Sequence, residues 1–151
     1  MADDLIFSAK NLRRFGFDCF CALGLSDPHA KLVADGLVEA DLRGLSSHGV
    51  SRIPTYCERL RRGLVNPTPN IAVKRVTPVA ASVDGDGGMG FPVAHRAMNE
   101  AIEMAREFGL GLAAVKHSTH YGMAALYVLQ AIEADMISLV FTNSSPALPV
   151  W

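Results

Sequence analysis

Apolar residues recur at helical spacing along the first sixty positions. Leu12, Phe15, Cys19 and Ala22 step by three or four, and Ser8 stands where a cap belongs, which predicts a helix to about residue 22. Ser26-Asp27-Pro28 is a second start signal, a cap followed by proline in the first turn. Leu32, Val33, Leu37 and Val38 carry that helix to Leu42, with Gly44 as its stop. A third helix is expected from about Val50 to Arg62, closed by Gly63, with Pro54 in its first turn. The period then changes. Pro67, Pro69 and Pro78, with Asn66, Thr68 and Asn70, make 64–78 an extended connector. Beyond it the pattern alternates: strand 79–83, glycine turn, helix 93–108, strand 110–116, loop, helix 121–134, strand 136–141. Such alternation predicts an α/β fold with parallel strands. A helical N-terminal segment with its connector (1–78) thus feeds the first part of an α/β domain (79–151).

Composition narrows the partners. The 151 residues are half apolar with a net charge of -1, so no electrostatic footprint for nucleic acid exists. The densest basic cluster, RLRR at 59–62, reads as a solvated helix end. No apolar run approaches the ~20 residues that span a bilayer, so a membrane is not expected as a partner either. The start, MADDLIFS, lacks the layout of a signal peptide, and Cys19, Cys21 and Cys57 are odd in number without metal spacing. Reduced thiols in the cytoplasm are the expectation. The chain closes on Asn143-Ser144-Ser145-Pro146 and a final Trp151, directly after an apolar run, which suggests part of a longer chain.

Three clusters carry candidate chemistry. In RGLSSHGVSRIPTY, 43–56, a continuous helix would put His48, Arg52 and Tyr56 on one face, with Ser47 adjoining. An imidazole that exchanges protons near neutral pH, beside a guanidinium that grips a carboxylate at two points, suits a 2-oxo or 2-hydroxy acid. The plainer alternative is a capping histidine and a surface ion pair. In KHSTHYG, 116–122, His117 can serve as a cap, while His120 precedes a helix in a strand-to-helix loop, where α/β sheets bind ligands. No third ligand accompanies these two histidines, so no metal is expected. In TNSSP, 142–146, Asn143 and Ser144 can offer amide and hydroxyl groups to a phosphate, ribose or carboxamide, or simply turn the chain. His95 reads as structural and His29 as exposed. Gly85, Gly87 and Gly90 have the G-x-G-x-x-G spacing of a dinucleotide turn. Asp84 and Asp86 would set two negative charges beside a pyrophosphate, and no carboxylate ends the next strand. A turn or close-packing role is expected instead.

Taken in order, SSHGV…R…Y (46–56), VDGDGGMG…AM (83–98), HSTHYG (117–122) and TNSSP (142–146) resemble the malate/L-lactate dehydrogenase family of the sulfolactate dehydrogenase type. Ureidoglycolate dehydrogenase, diketogulonate reductase and the piperideine/pyrroline-2-carboxylate reductases belong to the same group. The resemblance runs over essentially the whole chain and implies a nicotinamide-binding fold that is not Rossmann. It further implies an enzyme using NAD or NADP to interconvert a small 2-hydroxy and 2-oxo acid, or to reduce a cyclic imino acid, as a homodimer. By the same resemblance His48 with Ser47 takes part in proton transfer or supports it, and Arg52, with Tyr56 beside it, holds the substrate carboxylate. His120 matches the histidine assigned as acid/base in several members, and Ser144, with Asn143 and Gly122, lies on the cofactor side. Leu45 departs from relatives with a polar residue or histidine there. Family chains are more than twice as long, which places an acidic partner of the Ser-His pair and much of the cofactor site beyond Trp151. A truncated relative acting as a dimerisation or binding module is the rival reading.

Overall fold

The computed structural model describes residues 6–143. Three helices open the chain: α1 (Ala9–Cys21), α2 (Asp27–Leu42) and α3 (Ile53–Arg61). The Ser8 hydroxyl accepts the Asn11 amide at 3.2 Å and so starts α1, and Gly44, in the left-handed region, follows α2. The apolar faces of these helices meet in one core built on Phe20, Val33, Leu37, Tyr56, Leu60 and Phe91.

The sheet has the order β1-β2-β3, with β1 at Ala72–Thr77, β2 at Ala80–Gly88 and β3 at Leu112–Ser118. Between β2 and β3 runs α4 (Gly90–Phe108), and α5 (Ala125–Ile132) follows. The parallel pairing expected of a strand–helix–strand unit holds for β2 and β3, but β1 pairs with β2 antiparallel. The reason is length. Only Pro78 and Val79 separate β1 from β2, enough for a hairpin and far too short for a crossover. Residues 72–77, expected as connector, are therefore a sheet strand. Arg75 ties this strand to α4 through the buried Glu100 at 2.6 Å, with Glu103 and Glu107 nearby. Val83, Val93 and Ala97 form the smaller core between sheet and α4.

The expected strand at 136–141 does not form. Its residues are outside any sheet among the described residues, and Ile137, Leu139 and Phe141 stand in solvent. An apolar run signals a need for burial, and a strand also needs a neighbour for its backbone groups. No described strand takes that place.

Helix α2 approaches α4 closely because residue 36 is glycine. A Cβ there would lie 2.8 Å from the Phe91 ring and 2.9 Å from Leu126. Gly36→Val should therefore lower unfolding free energy by about 1–3 kcal/mol through overpacking, read by urea titration. Lys31→Ala, which removes an exposed pair with Asp35, should stay within about 0.5 kcal/mol. Equal stability of the two variants would show that the helices are not in tight contact.

Candidate active site

The first half of the site is built where α2 hands over to α3. The Asp41 carboxylate accepts the Val50 amide at 2.8 Å. Gly49 lies extended between them (φ -92°, ψ -158°), and a Cβ at 49 would fall 1.8 Å from Asp41 Oδ1. Only glycine fits. The chain consequently breaks into two single-turn 3₁₀ segments, Ser46–His48 and Val50–Arg52, before α3 begins. This corrects the expected continuous helix over 48–56: His48 does not share a helical face with Arg52 and Tyr56, because Asp41 has captured the amide that would continue the turn. Hydrogen bonds hold the broken segment together. Ser47 Oγ lies 2.9 Å from His48 Nδ1, Arg52 Nε donates to the Ser47 carbonyl at 2.6 Å, and Ser51 Oγ donates to the Ser46 carbonyl at 3.0 Å.

The second half is the loop after β3. It lies against the start of α4, since a Cβ at Gly90 would meet the carbonyl oxygens of Thr119 and His120 at 2.3 and 2.5 Å. Thr119 Oγ1 accepts the Gly90 amide at 3.2 Å and donates to the Gly88 carbonyl at 3.1 Å. Gly122 is left-handed (φ 77°) and buried against the Phe91 ring. This packing sets His120 beside the helical half. Its Nδ1 lies 2.7 Å from Tyr56 Oη and 3.3 Å from the Gly122 amide nitrogen. Its ring stacks on His48, centroids 5.3 Å apart. The Tyr56 ring meets Phe91 edge-on.

Electrostatics follow from this arrangement. Burial lowers the His120 pKa, and the positive charges of His48, Arg52 and Arg59 push the same way. Burial raises the Tyr56 phenol to about 12, against the opposing pull of Arg52 and Arg59. The site thus combines a neutral imidazole, a phenol that stays protonated, and guanidinium groups.

Ser47, His48, Arg52, Tyr56, His120 and Gly122 are therefore brought together from two distant stretches of chain. Asn143 is exposed, and Thr142 lies beside the Tyr121 phenol, opposing the rise that burial causes there. Ser144 lies outside the described residues. His117 turns elsewhere, to Asp84 at 3.0 Å. His95 is half-buried near Asn99, while its carbonyl accepts from Gln130. His29 is partly buried rather than exposed, and burial lowers its pKa. Gly85 and Gly88 are packed against protein, since a Cβ at Gly85 would lie 2.8 Å from the His117 carbonyl and one at Gly88 2.6 Å from Pro69, whereas the left-handed Gly87 borders an open cavity. Asp84 and Asp86 line that cavity as well, and their carboxylates oppose a pyrophosphate there. Two contributors escaped the sequence reading. Arg59 follows Tyr56 by three positions on α3, a spacing that signals a shared face. Asp41 has no such signal, because its partner amide is made available only by the break at Gly49.

The profile of the Malate/L-lactate dehydrogenase family matches residues 7–151. The chain belongs to this family. It is 37% identical over 144 residues to the L-sulfolactate dehydrogenase of Methanocaldococcus jannaschii, covering 95% of this chain and 42% of that protein. It is 47% identical over 124 residues to the malate dehydrogenase of Pyrococcus abyssi, covering 82% and 34% respectively. The solved sulfolactate dehydrogenase of Methanocaldococcus jannaschii superposes with a TM-score of 0.85 at 36% identity, over 87% of this chain and 38% of that one. The chain spans about two fifths or less of the length of these family members.

The Asp41 contact has a measurable consequence. Asp41→Ala leaves the Val50 amide without its acceptor, which should cost about 1–3 kcal/mol and speed Val50 amide exchange at least ~10-fold. Asp41→Asn keeps an acceptor oxygen and should change both far less. Hydrogen-exchange NMR reads the difference, and unchanged exchange in Asp41→Ala would remove this contact as the cause of the break.

Proposed function

We propose that the complete protein is an NAD- or NADP-dependent oxidoreductase that interconverts a small 2-hydroxy acid and its 2-oxo acid. Reduction of a cyclic imino acid is the same chemistry on a C=N bond. The observation that carries the reading is the stacked His48–His120 pair with Arg52 and Tyr56 around it, in a chain of this family. Arg52 offers a carboxylate the two-point contact that fixes the acid end of the substrate. The paired imidazoles supply a hydrogen-bond donor and a proton carrier for the oxygen that changes between carbonyl and hydroxyl. A bound nicotinamide supplies or accepts the hydride.

The cofactor side is proposed as the loop of His120 and Gly122 together with Asn143 and Ser144. The backbone of this loop is fixed by the glycine contacts at 90 and 122, so its polar groups are preorganised, and Thr142 lies beside Tyr121 next to it. The division into a helical part to residue 78 and an α/β part from 79 belongs to the same proposal, with β1 as the strand that joins the first to the second. A homodimer in the cytoplasm is the proposed setting.

The test is loss of reduced-nicotinamide absorbance with oxaloacetate, pyruvate, sulfopyruvate and cyclic imino acids, using the complete protein. Turnover with one of them is expected, and none with any would leave a binding or dimerisation module as the better reading. His48→Ala and His120→Ala should each lower turnover at least ~10²-fold, while His29→Ala and His95→Ala change it less than ~5-fold.

Arg52→Lys keeps the charge and loses the planar fork. It should raise the Michaelis constant for the acid at least ~10-fold with cofactor affinity unchanged. An unchanged Michaelis constant would remove Arg52 from the substrate site.

A further inference from the structure

The two imidazoles of the site have different hydrogen-bond partners, and the difference divides their work. His120 Nδ1 faces two groups, the Tyr56 hydroxyl at 2.7 Å and the Gly122 backbone amide at 3.3 Å. An amide N–H donates and cannot accept. A proton on Nδ1 would point at that donor and leave the buried Gly122 amide unmatched. Tyr56 is 5% exposed and its phenol stays protonated, so its hydroxyl has a proton to donate to the bare Nδ1 that the Gly122 amide requires. Nε2 has no partner among the described residues. His48 is placed otherwise. Its Nδ1 meets only the Ser47 hydroxyl, at 2.9 Å, and a hydroxyl donates to a bare nitrogen or accepts from a protonated one by rotating. Ser47 therefore accommodates His48 as either tautomer or as imidazolium.

We propose that Tyr56 is a positioning residue: with the Gly122 amide it holds His120 as the Nε2–H tautomer. His120 then offers the reacting oxygen a hydrogen bond, and proton exchange falls to the Ser47–His48 pair. The inference rests on the oxidoreductase reading for the identity of that oxygen, and on geometry alone for the tautomer. The groups facing His120 agree with a neutral ring: His48 and Arg52 from the two 3₁₀ turns and Arg59 from α3 are all cationic or able to be, and Tyr56 is neutral. In the reducing direction the substrate carbon gains the hydride with both electrons, and the carbon–oxygen π bond opens. The oxygen takes one proton from the His48 imidazolium, which returns to neutral imidazole and is recharged from solvent. His120 keeps its Nε2 proton throughout.

The tautomer is read without turnover, by long-range ¹H–¹⁵N correlation on ¹⁵N-histidine-labelled complete protein at pH 7.5. His120 is expected to show a protonated Nε2 and a bare Nδ1, while Tyr56→Phe raises the Nδ1–H population at least ~5-fold. A protonated Nδ1 in the unaltered protein overturns the proposal, and so does a spectrum that Tyr56→Phe leaves unchanged. If Tyr56→Phe fails to fold, the spectrum of the unaltered protein still decides. The donor role is tested with His120→Gln, whose amide donates but carries no exchangeable catalytic proton. Its turnover should recover at least ~10-fold over His120→Ala, whereas His48→Gln should not recover over His48→Ala. No recovery at 120 overturns the donor role. Absence of all turnover beside the expected spectrum sinks the oxidoreductase reading and leaves the tautomer assignment standing.

Discussion

The Phe91 ring is the contact on which the site depends. It sits at the start of α4, 2% exposed, and touches three other parts of the chain at once. Gly36 of α2 and Gly122 of the loop after β3 lie so close to it that neither position has room for a side chain, and Tyr56 of α3 meets its edge. One aromatic side chain therefore sets the distance between the helical half and the loop that carries His120. Burial of such a ring contributes several times what one exposed ion pair does, so the frame of the site is apolar even though its chemistry is polar.

The helices were legible because their apolar spacing and caps agree: Ser8, Pro28 and Gly44 act where the pattern places them. The type of β1 was hidden by three prolines around it, and its direction was decided by the two-residue turn rather than by any apolar rhythm. The site residues Ser47, His48, Arg52, Tyr56 and His120 were legible as types near one another in motif order. Their geometry was not. Helical spacing implied a stripe, whereas the structure obtains the cluster by breaking the helix at Gly49, through a carboxylate eight residues upstream. Long-range contacts of this kind leave no period in a sequence.

The site carries an excess of positive charge close to a neutral imidazole. Arg52, Arg59 and His48 act on His120 in the same direction as its burial does. A bound carboxylate would cancel part of that field, and the imidazole would then hold a proton more readily than in the empty site. Binding of an acidic molecule and protonation of the site are linked for that reason.

The Tyr56–His120 bond joins residues 64 positions apart. Closing a loop of that length costs roughly 3–4 kcal/mol in chain entropy, whereas one hydrogen bond returns about 0.5–1.5 kcal/mol net. The bond cannot assemble the two halves; it forms only after α2 and α4 have docked around Phe91. The bond is thus a consequence of that docking and not its cause. The pairing is accordingly among the first things lost when the joint loosens, and the state of that imidazole reports whether the halves are docked.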